Sequence, residues 1–262
     1  MKIAEYPYPI WPWQQNMGFP WPRLQFCQSE RPFTLRSGVS FPSLLMAYEE
    51  WGQINKGPVV LVLHGLTGDS HVARHTYQDS PGWWDGIVGY GKAIDLHRYH
   101  VISANVLGGS MGSTGPQSLD AEGRPYGRRF PQITMYDMAH AVHHLLADLH
   151  IEQNIRVIGG SMGGMLALAY GSLYAEETTG IMAIAAPIAH SPWAIAFHTV
   201  SRTAILNDPD FNDGDYYLTG KFPVQGLSVA RMANMISYQS RESMERKFGR
   251  YYQTEEKTEF QI

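Results

Sequence analysis

The sequence has little cysteine, little charge and no long apolar run. Cys27 is the single cysteine among 262 residues, so a disulfide within the chain is excluded and a reducing, cytosolic compartment is predicted. Lys and Arg number 20 against 24 Asp and Glu, and charged residues make up 17% of the chain. Because no basic run occurs, nucleic acid and anionic membranes are not expected as partners. No apolar stretch of about 18 residues is present to span a bilayer.

The first residues differ in composition from the rest of the chain. They contain Trp11, Trp13, Trp21 and several prolines, without the apolar run of a signal peptide. This composition predicts an N-terminal arm over residues 1–32, in which the segment 6–22 is too rich in proline for a helix or a central strand. The remaining length is sufficient for one globular domain with an inserted cap.

Residues 33–190 alternate between strand-like and helix-like patterns. Short apolar runs bounded by turn residues predict strands at 43–49, 59–63, 101–106, 155–158 and 181–186. Helical spacing predicts helices at 134–149 and 162–174. This alternation predicts an α/β fold with a mainly parallel sheet. Residues 191–262 show helical stretches at 193–206 and 229–248 and no convincing strand, which predicts a helical cap inserted after the sixth strand.

The pentapeptide GGSMG occurs twice, around Ser110 and around Ser161. Both copies satisfy G-x-S-x-G, the nucleophile elbow of α/β-hydrolases, which requires a strand before the serine and a helix after it. IRVI precedes Ser161 and a helical pattern follows it, whereas Gly115 and Pro116 exclude a helix after Ser110. Ser161 is therefore the predicted nucleophile, and Ser110 is interpreted as a glycine-rich loop residue.

A second loop supplies the expected partners of the nucleophile. LVLHGLTGD, at 61–69, places His64 directly after an apolar strand. In the usual arrangement of this fold, the backbone N–H groups of Leu66 and Met162 form the oxyanion hole. His64 itself is interpreted as a buried histidine that stabilises the loop, because the catalytic histidine of this fold comes late in the chain.

Six collinear motifs resemble the homoserine O-acyltransferases of the homoserine O-acetyltransferase type. They cover residues 33–262 in order and are HGLTGDSHV (64–72), PGWWDGIVG (81–89), NVLGGSMGSTGP (105–116), GGSMGGM (159–165), NDPDFNDGDYY (207–217) and GLSVARMANMISYQS (226–240). The resemblance implies an α/β-hydrolase fold and a role in methionine biosynthesis.

The resemblance also implies roles for individual residues. Ser161 matches the serine that takes an acyl group from acetyl-CoA or succinyl-CoA, and Arg231 matches the arginine that pairs with the L-homoserine carboxylate. Tyr238 matches a tyrosine of the same pocket. A guanidinium suits a carboxylate because its planar fork binds both oxygens. No permanently bound cofactor and no metal site are predicted.

The acid and base that a serine nucleophile needs are missing from the expected places. The order in this fold is Ser, then Asp or Glu, then His, but the only histidines after Ser161 are His190 and His198, and every later aspartate follows them. Glu176 or Glu177 with His190 is formally possible, yet these glutamates end the helix after Ser161. The sequence is therefore interpreted as a truncated enzyme, lacking the last strands, or an incomplete relative, with impaired acyl transfer.

Two other functions stay open from the sequence. One is an esterase or other hydrolase on the same fold, because the elbow alone does not choose an acceptor. The other is a non-catalytic binding or assembly protein, in which apolar cap residues such as those of 229–235 form a homodimer contact. The residues do not distinguish acetyl from succinyl donors, or homoserine from serine as acceptor.

Overall fold

The computed structural model describes residues 2–3, 5–16 and 18–249. The chain divides into two compact units, Met1–Ile188 and Ala189–Ile262. Residues 250–262, the end of the predicted cap, lie outside the described residues. The division into an arm at 1–32, a core at 33–190 and a cap at 191–262 stays a prediction.

A seven-stranded sheet forms the centre of the first unit. Its strands are β1 (Lys2–Ile3), β2 (Gln25–Gln28), β5 (Leu45–Gly52), β6 (Val59–Leu63), β9 (His100–Ala104), β10 (Ile155–Gly160) and β11 (Thr178–Ile184). The spatial order is β1-β2-β5-β9-β6-β10-β11. Two small pairs accompany the sheet, β3 (Phe33–Thr34) with β4 (Ser40–Phe41) and β7 (Val88–Gly89) with β8 (Ile94–Asp95).

The predicted α/β fold is confirmed. Strands β9, β6, β10 and β11 run parallel to one another, while β5, β2 and β1 extend the sheet in antiparallel pairings. Because loops at the carboxyl ends of parallel strands meet at one edge, the loops after β6, β9 and β10 lie at the same edge of the sheet.

Helices follow the predicted pattern in the first unit, with one correction. The bounds are α1 (Pro12–Asn16), a 3₁₀ turn (Gly127–Arg129), α2 (Met135–Asp148) and α3 (Met162–Leu173). Helix α2 begins at Thr134, which forms a capping box with Asp137. The prediction that the N-terminal arm holds no helix is wrong, because Pro12 occupies the first helical position, where its missing N–H costs nothing.

The second unit is helical over its described residues. It contains α4 (Pro192–Leu206), a 3₁₀ segment (Pro209–Gly214), α5 (Val224–Ser237) and α6 (Arg241–Phe248). The single helix predicted for 229–248 is wrong, because the Ser240 side chain accepts a hydrogen bond from the Ser243 N–H and starts a new helix. No described helix has the length and apolarity needed to cross a bilayer.

Apolar side chains cover both faces of the central sheet. Leu61 and Leu63 of β6 belong to the larger core with α2 and α3, whereas Val60 and Val62 belong to a second core on the other face. This alternation is typical of a strand that is buried on both faces. Strand β11 differs, since Met182 is 57% exposed and, among the described residues, β11 pairs only with β10.

Candidate active site

Ser161 occupies the turn between β10 and α3. Its backbone has φ 54° and ψ −121°, a conformation that non-glycine residues rarely adopt. The Ser161 N–H donates to the carbonyl of Ile184 at 2.9 Å, which ties the turn to β11, and the residue is exposed. A strand, a strained turn and a helix therefore present this serine at the carboxyl edge of the sheet, the arrangement that a nucleophile elbow requires.

Glycines on either side of Ser161 allow the strand and the helix to cross closely. A Cβ on Gly163 would overlap the carbonyl oxygen of Leu63 at the end of β6, and a Cβ on Gly159 would overlap the carbonyl of Gly163. Larger residues at these two positions would push α3 away from the sheet. The Gly-rich pattern is thus required by the packing of the backbone.

The loop after β6 lies beside the turn. A Cβ built on Gly65 would be 3.7 Å from the Gly160 carbonyl oxygen and 4.0 Å from the Ser161 Cβ. The Gly68 N–H donates to the Gly65 carbonyl at 3.0 Å and closes the loop into a turn. Leu66 follows Gly65 directly, and Met162 is the first residue of α3, whose N–H has no acceptor within the helix. Met162 is thus bonded directly to Ser161, and Gly65, the residue before Leu66, lies beside Ser161 across the loop.

His64 is buried and fixes this loop. Its Nδ1 is 2.7 Å from the carbonyl of Gly65 and therefore donates a hydrogen bond, while its Nε2 accepts from the Val106 N–H at 3.2 Å. Burial lowers the pKa of His64, which favours this neutral tautomer. Because both ring nitrogens are occupied, His64 links the loops after β6 and β9 and is not placed to act as a base.

A second link between the same loops runs through Ser70 and Asn105. The Ser70 N–H donates to Oδ1 of Asn105 at 2.9 Å, and Nδ2 of Asn105 donates to Oγ of Ser70 at 3.1 Å. Both residues are buried. Buried polar groups that satisfy each other in this way make a loop rigid, so the segment carrying Leu66 is held at both ends.

The second GGSMG copy lies in a loop, as predicted. Ser110 follows β9 without a helix after it, and its carbonyl accepts a hydrogen bond from Nε2 of Gln14 at 3.1 Å. The identical pentapeptide thus adopts a different conformation where the flanking strand and helix are absent.

Within the described residues of the first unit, no acid–base pair is in hydrogen-bond contact with Ser161. The Ser161 side chain makes no capping hydrogen bond to α3. Glu177 bonds to Nε2 of His143 at 3.1 Å, and its carbonyl accepts from the Ile155 N–H at the start of β10. Glu177 therefore lies at the amino end of β10, whereas Ser161 follows the carboxyl end of the same strand. This separation excludes Glu177 as the carboxylate that orients a base at Ser161.

The remaining predicted residues belong to the second unit. Arg231 lies on α5, and Tyr238 is the capping residue that follows this helix about two turns later, so both occupy the same side of it. Both side chains are exposed. His190 and His198 are also in this unit, with their ring centroids 5.0 Å apart. The assignment of Arg231 and Tyr238 to a homoserine pocket stays a prediction.

Comparison with known proteins gives the family of the chain. A family model of the α/β-hydrolase fold matches residues 58–261. A homoserine O-acetyltransferase of Methanocorpusculum labreanum is 50% identical over 227 residues, which are 86% of this chain and 46% of the relative. The same enzyme of Symbiobacterium thermophilum is 48% identical over 231 residues, or 86% of this chain and 60% of the relative. The chain spans about half the length of these curated relatives.

Solved structures of two kinds of enzyme resemble the chain. Homoserine O-acetyltransferase from Bacillus anthracis has a TM-score of 0.78 and 26% identity, covering 89% of this chain and 65% of that one. Esterase E22 has a TM-score of 0.77 and 28% identity, covering 89% of this chain and 66% of that one. The resemblance to homoserine O-acetyltransferases that the motifs indicated is confirmed.

The backbone strain at Ser161 predicts that glycine is more stabilising than alanine at this position. Ser161→Gly should be more stable than Ser161→Ala by about 1–3 kcal/mol, because glycine adopts this backbone conformation without strain. Urea unfolding of both variants, monitored by circular dichroism, measures the difference. Equal stability, or a less stable glycine variant, would show that the serine backbone is relaxed.

The close crossing of β10 and α3 predicts contrasting effects at two glycines. Gly163→Ala should lower the free energy of unfolding by roughly 1–3 kcal/mol, because its Cβ overlaps the backbone of β6. Gly160→Ala is the matched control, since its Cβ would meet only the Ile184 carbonyl oxygen at 4.0 Å. Similar losses in the two variants would contradict the proposed crossing.

Proposed function

The chain belongs to the α/β-hydrolase fold family, and on this premise we propose that the protein transfers an acyl group from acyl-CoA to L-homoserine. The observation that carries the proposal is Ser161 in a strained turn between β10 and α3, with the Gly65 loop beside it. The relatives named homoserine O-acetyltransferase support the choice of acceptor.

In the first half-reaction, Oγ of Ser161 attacks the thioester carbonyl carbon of acyl-CoA. A C–O bond forms, and the N–H groups of Leu66 and Met162 stabilise the oxyanion. Each such donor is worth roughly 10²–10³ in rate. The C–S bond then breaks, CoA leaves with the proton from Ser161, and acyl-Ser161 remains.

In the second half-reaction, the γ-hydroxyl of L-homoserine attacks the acyl-Ser161 carbonyl. The same two N–H groups stabilise the second oxyanion, the bond to Oγ breaks, and the hydroxyl proton returns to Ser161. Both halves need a base near Oγ. Because no acid–base pair adjoins Ser161 within the described residues of the first unit, we expect the 262-residue chain alone to transfer acyl groups slowly.

Arg231 and Tyr238 are the proposed contacts of the acceptor. They share one side of α5, so one ligand is able to reach both. A guanidinium that pairs with the homoserine carboxylate contributes about 1.5–3 kcal/mol through charge-assisted hydrogen bonds. This contact would select an amino acid over a simple alcohol.

The acyl donor, the assembly and the location complete the proposal. Acetyl-CoA is the favoured donor, because the relatives are named acetyltransferases, with succinyl-CoA as the alternative. We place the protein in the cytosol on the basis of its single cysteine.

A homodimer through α5 is supported by exposed apolar side chains on that helix, such as Leu227, which is 58% exposed, and Met232, which is also 58% exposed.

An esterase is the second candidate function. Esterase E22 resembles this chain as closely as the acetyltransferase of Bacillus anthracis does. The two activities share the acyl-serine step and differ in whether water or homoserine accepts the acyl group. A carboxylate contact at Arg231 is needed for transfer only.

The missing base predicts low turnover. Purified 262-residue protein, mixed with acetyl-CoA and L-homoserine, should release CoA far below about 1 s⁻¹, the lower end of ordinary enzyme turnover. The assay is repeated with succinyl-CoA to compare donors, and with Ser161→Ala as the control. Ordinary turnover that disappears in Ser161→Ala would show that the chain does assemble a base.

The proposed carboxylate contact predicts a loss of acceptor binding. Arg231→Ala should weaken L-homoserine binding about 10- to 100-fold by calorimetry, as expected for a lost charge-assisted contact. Aminopropanol, which lacks the carboxylate, should bind both proteins equally. Arg241→Ala, on α6, is the control and should leave homoserine binding unchanged. Equal binding of homoserine to Arg231→Ala and the unmodified chain would favour the esterase.

A further inference from the structure

A second polar cluster in the first unit takes no part in the proposed reaction. It consists of Glu49, which lies on β5 and is fully buried, and of His71 and His75 in the segment after β6. Oε2 of Glu49 is 3.0 Å from Nδ1 of His71 and 2.8 Å from Nε2 of His75. The three atoms all lie within 4.8 Å of one another, so two imidazoles and one carboxylate converge on a single point.

Each histidine ring has a second contact, besides Glu49, that holds it in place. Nε2 of His71 donates to the carbonyl of Ser80 at 3.0 Å, which leaves Nδ1 directed at Glu49. The His75 ring stacks on Trp51, with ring centroids 4.7 Å apart and planes 10° apart. A backbone carbonyl that fixes the far nitrogen is the common outer partner of a metal-bound histidine.

The carboxylate is fixed in the same manner. Oε1 of Glu49 accepts hydrogen bonds from Nε1 of Trp21 at 2.6 Å and from Oγ of Ser70 at 3.0 Å. These two donors occupy one oxygen and leave Oε2 to face both histidines. The three donor groups are therefore oriented by the protein itself before any ligand is bound.

We propose that Glu49, His71 and His75 bind one divalent transition-metal ion of the zinc type. Two imidazoles and one carboxylate are a donor set that suits zinc and its neighbours in the first transition row. Zinc bonds of about 2.0–2.2 Å fit a triangle of this size after a small shift of the rings. The ion displaces the hydrogens that now lie between Oε2 and the two nitrogens.

One ligand of the proposed site, His75, borders a cavity that is able to hold further ligands of the ion. His75 lines a cavity of about 610 Å³, together with Trp51, Glu50, Arg74, Asp85 and Tyr90. Water or an anion entering through this cavity completes the coordination. The bound ion connects β5 to the segment that carries Ser70, and Trp21 joins the N-terminal arm to the same carboxylate, so metal binding should stabilise the first unit.

The experiment is a metal titration of the purified 262-residue protein after treatment with a chelator. Zn²⁺ added in a calorimeter should bind with a stoichiometry of one, and the thermal unfolding midpoint should rise. Co²⁺ should give the visible absorption bands of a four- or five-coordinate site. Cu²⁺ should quench tryptophan fluorescence, because Trp51 stacks on the proposed ligand His75.

Variants assign the site to these residues. His75→Ala should weaken Zn²⁺ binding at least tenfold while the circular dichroism spectrum is retained, since His75 borders the cavity. Glu49→Gln, which keeps the size of the buried side chain, should have the same effect. His143→Ala is the matched control, because His143 pairs with Glu177 at 3.1 Å on another part of the unit, and it should bind Zn²⁺ as the unmodified chain does. Absence of one-to-one binding, or equal binding by His75→Ala, would overturn the proposal.

Discussion

The close approach of β10 and α3 at Ser161 is the constraint on which the candidate active site depends. Side chains are excluded at Gly159 and Gly163 because the carbonyls of the turn and of β6 occupy their space. The turn then forces Ser161 into a positive φ of 54°. This strain has a cost of about 1–3 kcal/mol, and the packed sheet offsets it. As a result of this strained turn, Ser161 and the N-terminus of α3 face the loop after β6.

The position of that loop follows from polar groups rather than from apolar packing. His64, with its two ring nitrogens occupied, and the reciprocal pair Ser70 and Asn105 join the segments after β6 and β9. Glu49 adds a third connection, to β5, through its bond from Ser70. Buried networks of this kind specify one arrangement because every alternative leaves a polar group without a partner. The backbone donor at Leu66 is therefore placed by side chains that do not touch the reacting atoms.

Local patterns predicted most of the fold and one part of the site. The β6 and β10 runs and the helix after Ser161 follow from apolar spacing and glycine, and the same context distinguished Ser161 from Ser110. The short helix at Pro12 and the break at Ser240 were missed, because one depends on a helix-compatible proline and the other on a single capping serine. The cluster of Glu49, His71 and His75 was missed as well, since it forms only when β5 packs beside the segment after β6.

The candidate site depends on two kinds of group. Some are positioned by the geometry of the backbone, and others are side chains. The proposed nucleophile and the proposed oxyanion donors belong to one strained turn and one loop, and the described residues contain both. A base, in contrast, is a side chain. The histidine of the loop after β6, His64, has both ring nitrogens occupied by other hydrogen bonds. In serine hydrolases, oxyanion stabilisation and binding alone retain about 10³–10⁴-fold acceleration over water when the triad is removed. The turn at Ser161 and the loop after β6 therefore provide the parts of such a site that the backbone determines, and a base near Oγ of Ser161 would be a separate contribution from a side chain.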